Sequence, residues 1–196
     1  VGGLYSIENM AVLHFAGRGA YLAGIALIQE QLTRPYLGEN AYTATMLHFR
    51  IAQFSHTLGL YERALALMPE VLDRSRQLVS QGIITKGLFA VLHAAYGAML
   101  AGGGRPEEAR QELSEALQTT LAENWILQHG DAILTWARGI LLVPTDQLLR
   151  QALELAMTAL NRFGKAAPWN FDAGAAHMVL AQLHLALGES VPALEH

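Results

Sequence analysis

The sequence contains no cysteine among its 196 residues, and it carries little charge. Without cysteine there is no disulfide framework, no thiolate nucleophile and no cysteine-based zinc site. Charged residues make up 15% of the chain, below the roughly 25% typical of a soluble domain. The net charge is −4, and a negatively charged protein is disfavoured from binding the phosphate backbone of nucleic acid. We therefore expect no direct contact between this segment and nucleic acid.

Long uninterrupted hydrophobic runs are also missing, although hydrophobic residues make up 52% of the chain. No run reaches the 18 or so residues that a membrane-spanning helix needs. The start of the chain, Val1-Gly2-Gly3, shows no signal-peptide pattern. These absences predict a cytoplasmic protein that has no membrane partner.

The sequence repeats one pattern, in which a glycine is followed five positions later by a small residue. The pairs are Gly19 and Gly24, Gly59 and Ala64, Gly104 and Ala109, and Gly188 and Ala193. A weaker copy begins at Val143-Pro144 and leads to Ala152. The five small residues are separated by 40, 45, 43 and 41 residues, and such regular spacing indicates a repeat architecture.

Each copy has the features of a helical hairpin. The glycine ends the first helix by adopting the left-handed conformation that other residues resist. Pro106 stands in the first turn of a second helix, where its missing N–H costs nothing. The small residue lets the two helices approach closely, as we also expect at Gly97. Each hairpin leaves an apolar stripe that only another hairpin covers, which favours a stacked solenoid.

The pattern predicts ten helices in five pairs and no strand, since period-two alternation is absent. The predicted helices span about 5–17, 20–33, 40–57, 60–80, 84–101, 106–122, 125–142, 146–163, 170–187 and 190 onward. Pro69 lies inside the fourth of these helices and predicts a kink or a split of its final turns. The last helix is short, and we expect the chain to be a fragment of a larger protein. Its final residues, 194–196, fit either a native helix or the remnant of an affinity tag.

The predicted fold class is therefore all-α, a right-handed α-solenoid of about five stacked helical hairpins whose last member is truncated. The whole chain, 1–196, is predicted to be a single repeat domain. Its hairpins correspond to residues 4–38, 39–82, 83–124, 125–165 and 166–196.

The repeat resembles the tetratricopeptide repeat (TPR) family. With each small residue numbered position 20 of its repeat, position 8 holds Val12, Ala52, Gly97, Ile140 and Ala181, and position 15 holds Gly19, Gly59, Gly104, Gln147 and Gly188. The period of 40 to 45 residues exceeds the TPR period of about 34. This longer unit is similar to the solenoids of large bacterial LuxR-type and maltose-activator-type ATP-dependent regulators.

This resemblance implies a non-catalytic protein-interaction or effector-sensing module of a bacterial signalling or transcriptional regulator. The alternative is a stand-alone TPR-type scaffold that binds a partner helix or peptide. In either case the partner is a protein or a small-molecule effector, and the resemblance implies no cofactor.

Motifs for catalysis and metal binding are weak. Gly164-Lys165 is followed by alanine, so it does not form a phosphate-binding loop. No serine lies in a G-x-S-x-G motif. The acidic run of Glu107, Glu108, Glu112 and Glu115 is predicted to be a solvated helix face. We therefore expect no enzymatic activity.

Three histidines, His48, His93 and His177, share position 4 of their repeats, where Trp136 stands in the fourth. Stacked helices lie about 10 Å apart, too far for these rings to share an ion at bonds of about 2 Å. We expect partly buried structural histidines and no metal site.

The TPR resemblance also implies a binding surface on the inner face of the first helices, at positions 2, 5, 9, 12 and 13. We call this predicted surface the partner groove, and its residues are Asn9, Leu13, Met46, Phe49, Gln53, His56, Val91, Met178 and Gln182. Methionine and phenylalanine adapt to varied partners, and the amides offer hydrogen bonds. The alternative is that the longer helices curl tightly and bury these residues as core.

Overall fold

The computed structural model describes residues 14–15, 18–34, 40–122, 126–166 and 171–196, and within these ranges it contains helices and no strand. The helices are α1 (Tyr21–Leu32), α2 (Ala41–Thr57), α3 (Tyr61–Ser80), α4 (Lys86–Gly102), α5 (Pro106–Ala122), α6 (Ile126–Leu142), α7 (Asp146–Ala166), α8 (Phe171–Ala186) and α9 (Ser190–Glu195). All nine agree with the predicted bounds to within about three residues. The remaining predicted helix, 5–17, lies outside the described residues except at His14 and Phe15.

The chain divides into two compact units, Val1–Ile84 and Thr85–His196. In the first unit α1 packs on α2, and α2 packs on α3. In the second unit α4 packs on α5 and α6, α6 packs on α7 and α8, and α8 packs on α9. Within each unit helices therefore pack on their near neighbours along the chain, as in an α-solenoid. The predicted fold class is confirmed, whereas the single domain and the handedness stay predictions.

We number the hairpins as the sequence predicts them: the second is α2–α3, the third α4–α5, the fourth α6–α7 and the fifth α8–α9. The four glycines expected to end first helices, Gly19, Gly59, Gly104 and Gly188, have φ angles of 65°, 74°, 76° and 77°. This confirms the predicted left-handed conformation, which glycine adopts without a side-chain penalty.

Two backbone hydrogen bonds accompany this conformation. After α2, the N–H of Leu60 donates to the carbonyl of Ser55 at 2.8 Å, and the N–H of Gly59 donates to His56 at 2.9 Å. The same two bonds recur after α4, from Arg105 to Leu100 and from Gly104 to Ala101, and after α8, from Glu189 to His184 and from Gly188 to Leu185. This Schellman arrangement satisfies the last carbonyls of the first helix. One turn geometry therefore sets the start of the second helix in three hairpins.

The small residues after these turns are buried, as expected from a close approach of the two helices. Ala64, Ala109 and Ala152 are fully buried. At Gly97 a Cβ atom would lie 2.7 Å from Cγ of Leu113, and at Gly139 it would lie 2.6 Å from Cδ2 of the same leucine. Leu113 of α5 therefore lies against glycines of both α4 and α6, and the predicted close approach at Gly97 is confirmed.

Helix α3 runs from Tyr61 to Ser80 through Pro69, so the predicted split of its final turns is wrong, and the kink stays a prediction. Pro69 is exposed, while Met68, Val71 and Leu72 beside it are buried. Burial of these apolar side chains on both sides of the proline offsets the hydrogen bond that it removes.

Candidate functional site

The structure makes the partner groove only partly accessible. Met46, Phe49 and Val91 are buried, with exposed fractions of 8%, 4% and 7%. Gln53 and His56 are half-buried, and Met178 and Gln182 are exposed. Asn9 and Leu13 lie outside the described residues. Met46, Phe49 and Val91 thus belong to the core, and the expectation that they face a ligand needs correction.

The physical reason is visible in α2. Ten of its 17 residues are buried, at positions that surround the helix axis. A helix packed on most sides keeps no continuous apolar face for a ligand. The alternative reading, in which long helices bury the inner-face residues, holds for these three side chains.

The two half-buried residues of the partner groove on α2, Gln53 and His56, already contact other side chains of the protein. Nη1 of Arg50 donates a hydrogen bond to Oε1 of Gln53 at 2.6 Å. The ring of His56 lies edge-on to Tyr61, at 5.5 Å between centroids. Burial lowers the pKa of His56 below its usual 6.5, and its buried Nδ1 atom has no hydrogen-bond partner in the described part of the chain. His56 is therefore neutral at neutral pH.

The accessible part of the partner groove lies on α8. Met178, Gln182 and Leu185 are exposed and are spaced four and three residues apart, so they share one face of the helix. We call these three residues the α8 row. Met178 is 55% exposed, whereas Ala94 and Ala137 at the same repeat position are 0% exposed. The exposure of Met178 therefore distinguishes the fifth hairpin from the third and fourth at this position.

In the third and fifth hairpins, the histidine at position 4 of the repeat contacts a polar side chain of the second half of the hairpin. Nδ1 of His93 lies 2.7 Å from Oε2 of Glu112, and Nδ1 of His177 lies 3.0 Å from Nδ1 of His196. Both partners stand 19 residues after the histidine, because the hairpin places position 4 of the first helix against position 23 of the second. Sequence reasoning found the histidines and missed their partners, which a search at a spacing of 19 would have found.

The second hairpin has no such pair. The residue 19 positions after His48 is Leu67. His48 instead donates from Nδ1 to the carbonyl of Ala44 on its own helix, at 2.8 Å. The three histidines at position 4 are thus partly buried as expected, but their contacts differ.

The sequence had suggested that the acidic run on α5 forms one solvated face. In the structure the run divides into two parts with different surroundings. Glu107 and Glu108 are exposed, and they pair with Arg110 of the same helix and with Arg105, which directly precedes it. The side chain of Glu112 is largely shielded from solvent and contacts His93. Because Glu112 lies five residues after Glu107, it is rotated about 140° around the helix axis. Helix periodicity could have separated these two roles.

Histidines also gather in the fifth hairpin. Nδ1 of His184 lies 2.8 Å from Oε2 of Glu189, and the rings of His184 and His196 stack at 5.7 Å between centroids. Burial, followed by the charges of His177 and His184, lowers the pKa of His196, while Glu195 opposes this shift. This cluster therefore favours a neutral His196.

None of the helices in the described ranges combines the length and apolar character needed to cross a membrane.

Comparisons with known proteins identify the fold. No protein-family model and no curated protein sequence matches the chain. Among solved structures, the chain is similar to a Podosopora anserina protein described as a kinesin light chain with nearly identical TPR-like repeats. The TM-score is 0.61 at 14% sequence identity, over 98% of this chain and 90% of that chain. At this identity the likeness shows a TPR-like repeat fold alone, which confirms the resemblance to TPR proteins inferred from the sequence.

Proposed function

We propose that this chain is a non-catalytic protein-interaction module that binds a partner helix or peptide through the α8 row. The observation that carries this proposal is the exposure of Met178 and Leu185. At the repeat position of Met178, Phe49 in the second hairpin, Ala94 in the third and Ala137 in the fourth are buried. TPR-like repeats are suited to such binding because stacked hairpins present extended surfaces. Methionine adapts its shape to a partner, and Gln182 between the two apolar side chains offers an amide to a partner backbone.

The test is binding of amphipathic peptides selected against the intact chain, measured by fluorescence anisotropy. Met178→Glu and Leu185→Glu should each weaken binding about tenfold or more, because a carboxylate in an apolar contact loses its hydration. Met157→Glu on α7 is the matched control, since Met157 is also an exposed methionine, and it should leave the affinity unchanged. Equal affinity of all three variants would refute the proposed surface.

We further propose a cytoplasmic setting for this module, as an interaction or effector-sensing arm of a bacterial signalling or transcriptional regulator. The support is the long period. The left-handed glycines that end first helices lie 40 and 45 residues apart at Gly19, Gly59 and Gly104, and Gly188 follows about two periods later. This spacing is the 40 to 45 residues that suggested such regulators. The alternative, a stand-alone scaffold, is equally compatible with the fold.

The flanking sequence of the gene distinguishes these two settings. An ATPase module before this segment and a helix-turn-helix module after it would support the regulator. If a complete reading frame encodes neither module, the scaffold is favoured.

A further inference from the structure

Three potential metal ligands converge on the third hairpin. His93 comes from α4, and Glu112 and Glu115 come from α5. One donor atom of each residue lies within 4.8 Å of the other two. Glu112 and Glu115 are three residues apart, so they project from one face of α5. The hairpin itself therefore brings an imidazole and two carboxylates together.

The imidazole is held in place before any ion binds. The side chain of His93 is only 11% exposed, and its Nδ1 atom contacts Glu112 at 2.7 Å. The ring of Phe89 lies edge-on to it, at 4.5 Å between centroids. Glu115, in contrast, is exposed. The cluster thus combines a fixed, shielded nitrogen with a carboxylate that faces solvent.

We propose that His93, Glu112 and Glu115 bind a divalent transition-metal ion of the Zn²⁺ class. Nitrogen and carboxylate ligands suit Zn²⁺, whereas Mg²⁺ and Ca²⁺ prefer oxygen ligands alone. Donor atoms around a tetrahedral ion with bonds of about 2.0–2.1 Å lie about 3.3 Å apart. The contact between His93 and Glu112 therefore opens by about 0.6 Å when the ion enters, and Glu115 draws in.

Binding changes the protonation of the cluster. Nδ1 of His93 must present its lone pair, so a proton on this nitrogen moves to Nε2 or to solvent. The oxygen of Glu112 that contacts His93 becomes a ligand. Three protein ligands leave the fourth position of a tetrahedral ion to water. We expect that water on the solvent side, next to Glu115.

The repeat does not produce this donor set by itself. In the second hairpin the corresponding residues are His48, Leu67 and Glu70, so leucine stands where the third hairpin has Glu112. In the fourth hairpin they are Trp136, Leu155 and Thr158. The second hairpin is thus an internal comparison that retains two potential ligands and loses the central one.

The test is titration of the metal-free chain with Zn²⁺ by calorimetry and with Co²⁺ by visible absorption. The wild type should bind one equivalent at this site and show the intense bands of tetrahedral Co²⁺. Glu112→Gln and Glu115→Gln should each lower the affinity about tenfold or more. Because Glu115 is exposed, Glu115→Gln tests the site without a risk to folding. Glu154→Gln, an exposed glutamate of α7, is the matched control and should bind as the wild type does.

The histidines of the fifth hairpin are the competing ligands, and a double variant separates the two clusters. The variant His177→Gln/His184→Gln should bind Zn²⁺ with the affinity of the wild type, whereas Glu115→Gln binds it more weakly. At equal Zn²⁺ concentration, the Tm of the wild type and of this double variant should also rise more than that of Glu115→Gln. The proposal is overturned if both glutamate variants keep the wild-type affinity, if only the double variant binds more weakly, or if the wild type binds no Zn²⁺ at 100-fold molar excess over protein.

Discussion

The third and fifth hairpins have the same frame and use it differently. Both turn at a left-handed glycine, with φ of 76° at Gly104 and 77° at Gly188. Both place a buried alanine five residues later and a polar pair at a spacing of 19. Yet Ala94 of the third hairpin is fully buried, and Met178 at the same position of the fifth is exposed. The features that the two hairpins share depend on a few positions that require a particular backbone conformation or little space. At the other positions, such as that of Ala94 and Met178, the packing around the residue decides whether it belongs to the core or to the surface.

The largest expected difference between the two hairpins concerns leucine truncation. Leu113→Ala should cost about 2–5 kcal/mol of unfolding free energy, because Leu113 is 1% exposed and lies against two glycines. Leu194→Ala should change it by less than about 0.5 kcal/mol, because Leu194 is 88% exposed. Urea unfolding of both variants measures the two costs. Similar costs would break the distinction between the buried leucine of the third hairpin and the exposed leucine of the fifth.

Enlarging the small residue after the turn should have the next largest effect. Ala109→Leu should overpack the contact of α4 with α5 and cost about 1–3 kcal/mol. Ala193→Leu should cost less, because Ala193 lies in the six-residue helix α9 and is slightly exposed. Thermal melting measures both. An unchanged melting curve for Ala109→Leu would contradict the repeat register.

The turn glycines should respond alike, because here the two hairpins are equivalent. No atom lies within 4 Å of an added Cβ at Gly104 or Gly188, so Gly104→Ala and Gly188→Ala should each cost about 1–2 kcal/mol through backbone strain alone. Gly104→Asn should cost less, because asparagine tolerates the left-handed region. Chemical denaturation compares the three variants. If the two alanine variants had clearly unequal costs, the turns at Gly104 and Gly188 would not be equivalent.

The smallest expected effect concerns the histidine–histidine pair of the fifth hairpin. The pKa of His196 is lowered from 6.5 in the folded chain, so the unfolded chain binds more protons as the pH falls. The stabilisation from neutral His196 is therefore present above about pH 6.5 and is lost as the pH falls through the folded-state pKa.

Thermal melting between pH 7.5 and pH 5.0 measures this loss. The variant His196→Gln should show a shallower decline of Tm than the wild type. His48→Gln, whose histidine contacts its own helix, should retain the decline of the wild type. Parallel curves for His196→Gln and the wild type would contradict the predicted contribution.

The sequence predicted the helices and the turns well because their signals are local. A left-handed glycine and a small residue five positions later depend only on residues that are close in the sequence. Their positions at Gly59 and Ala64 could therefore be predicted from the sequence alone. The accessibility of Phe49 and Met46 could not be predicted in this way, because it depends on packing by residues far along the chain. The pair of His93 and Glu112 lies between these cases, since it requires the repeat register but no further information.

Leu113 belongs to α5 but lies against Gly97 of α4 and Gly139 of α6. Opening the third hairpin would leave this side chain without one glycine surface, and opening the fourth would leave it without the other. The two hairpins therefore share a nearest-neighbour coupling that favours their unfolding as one cooperative block. In native-state hydrogen exchange, the slowest amides of α4, α5 and α6 should consequently report a common opening free energy.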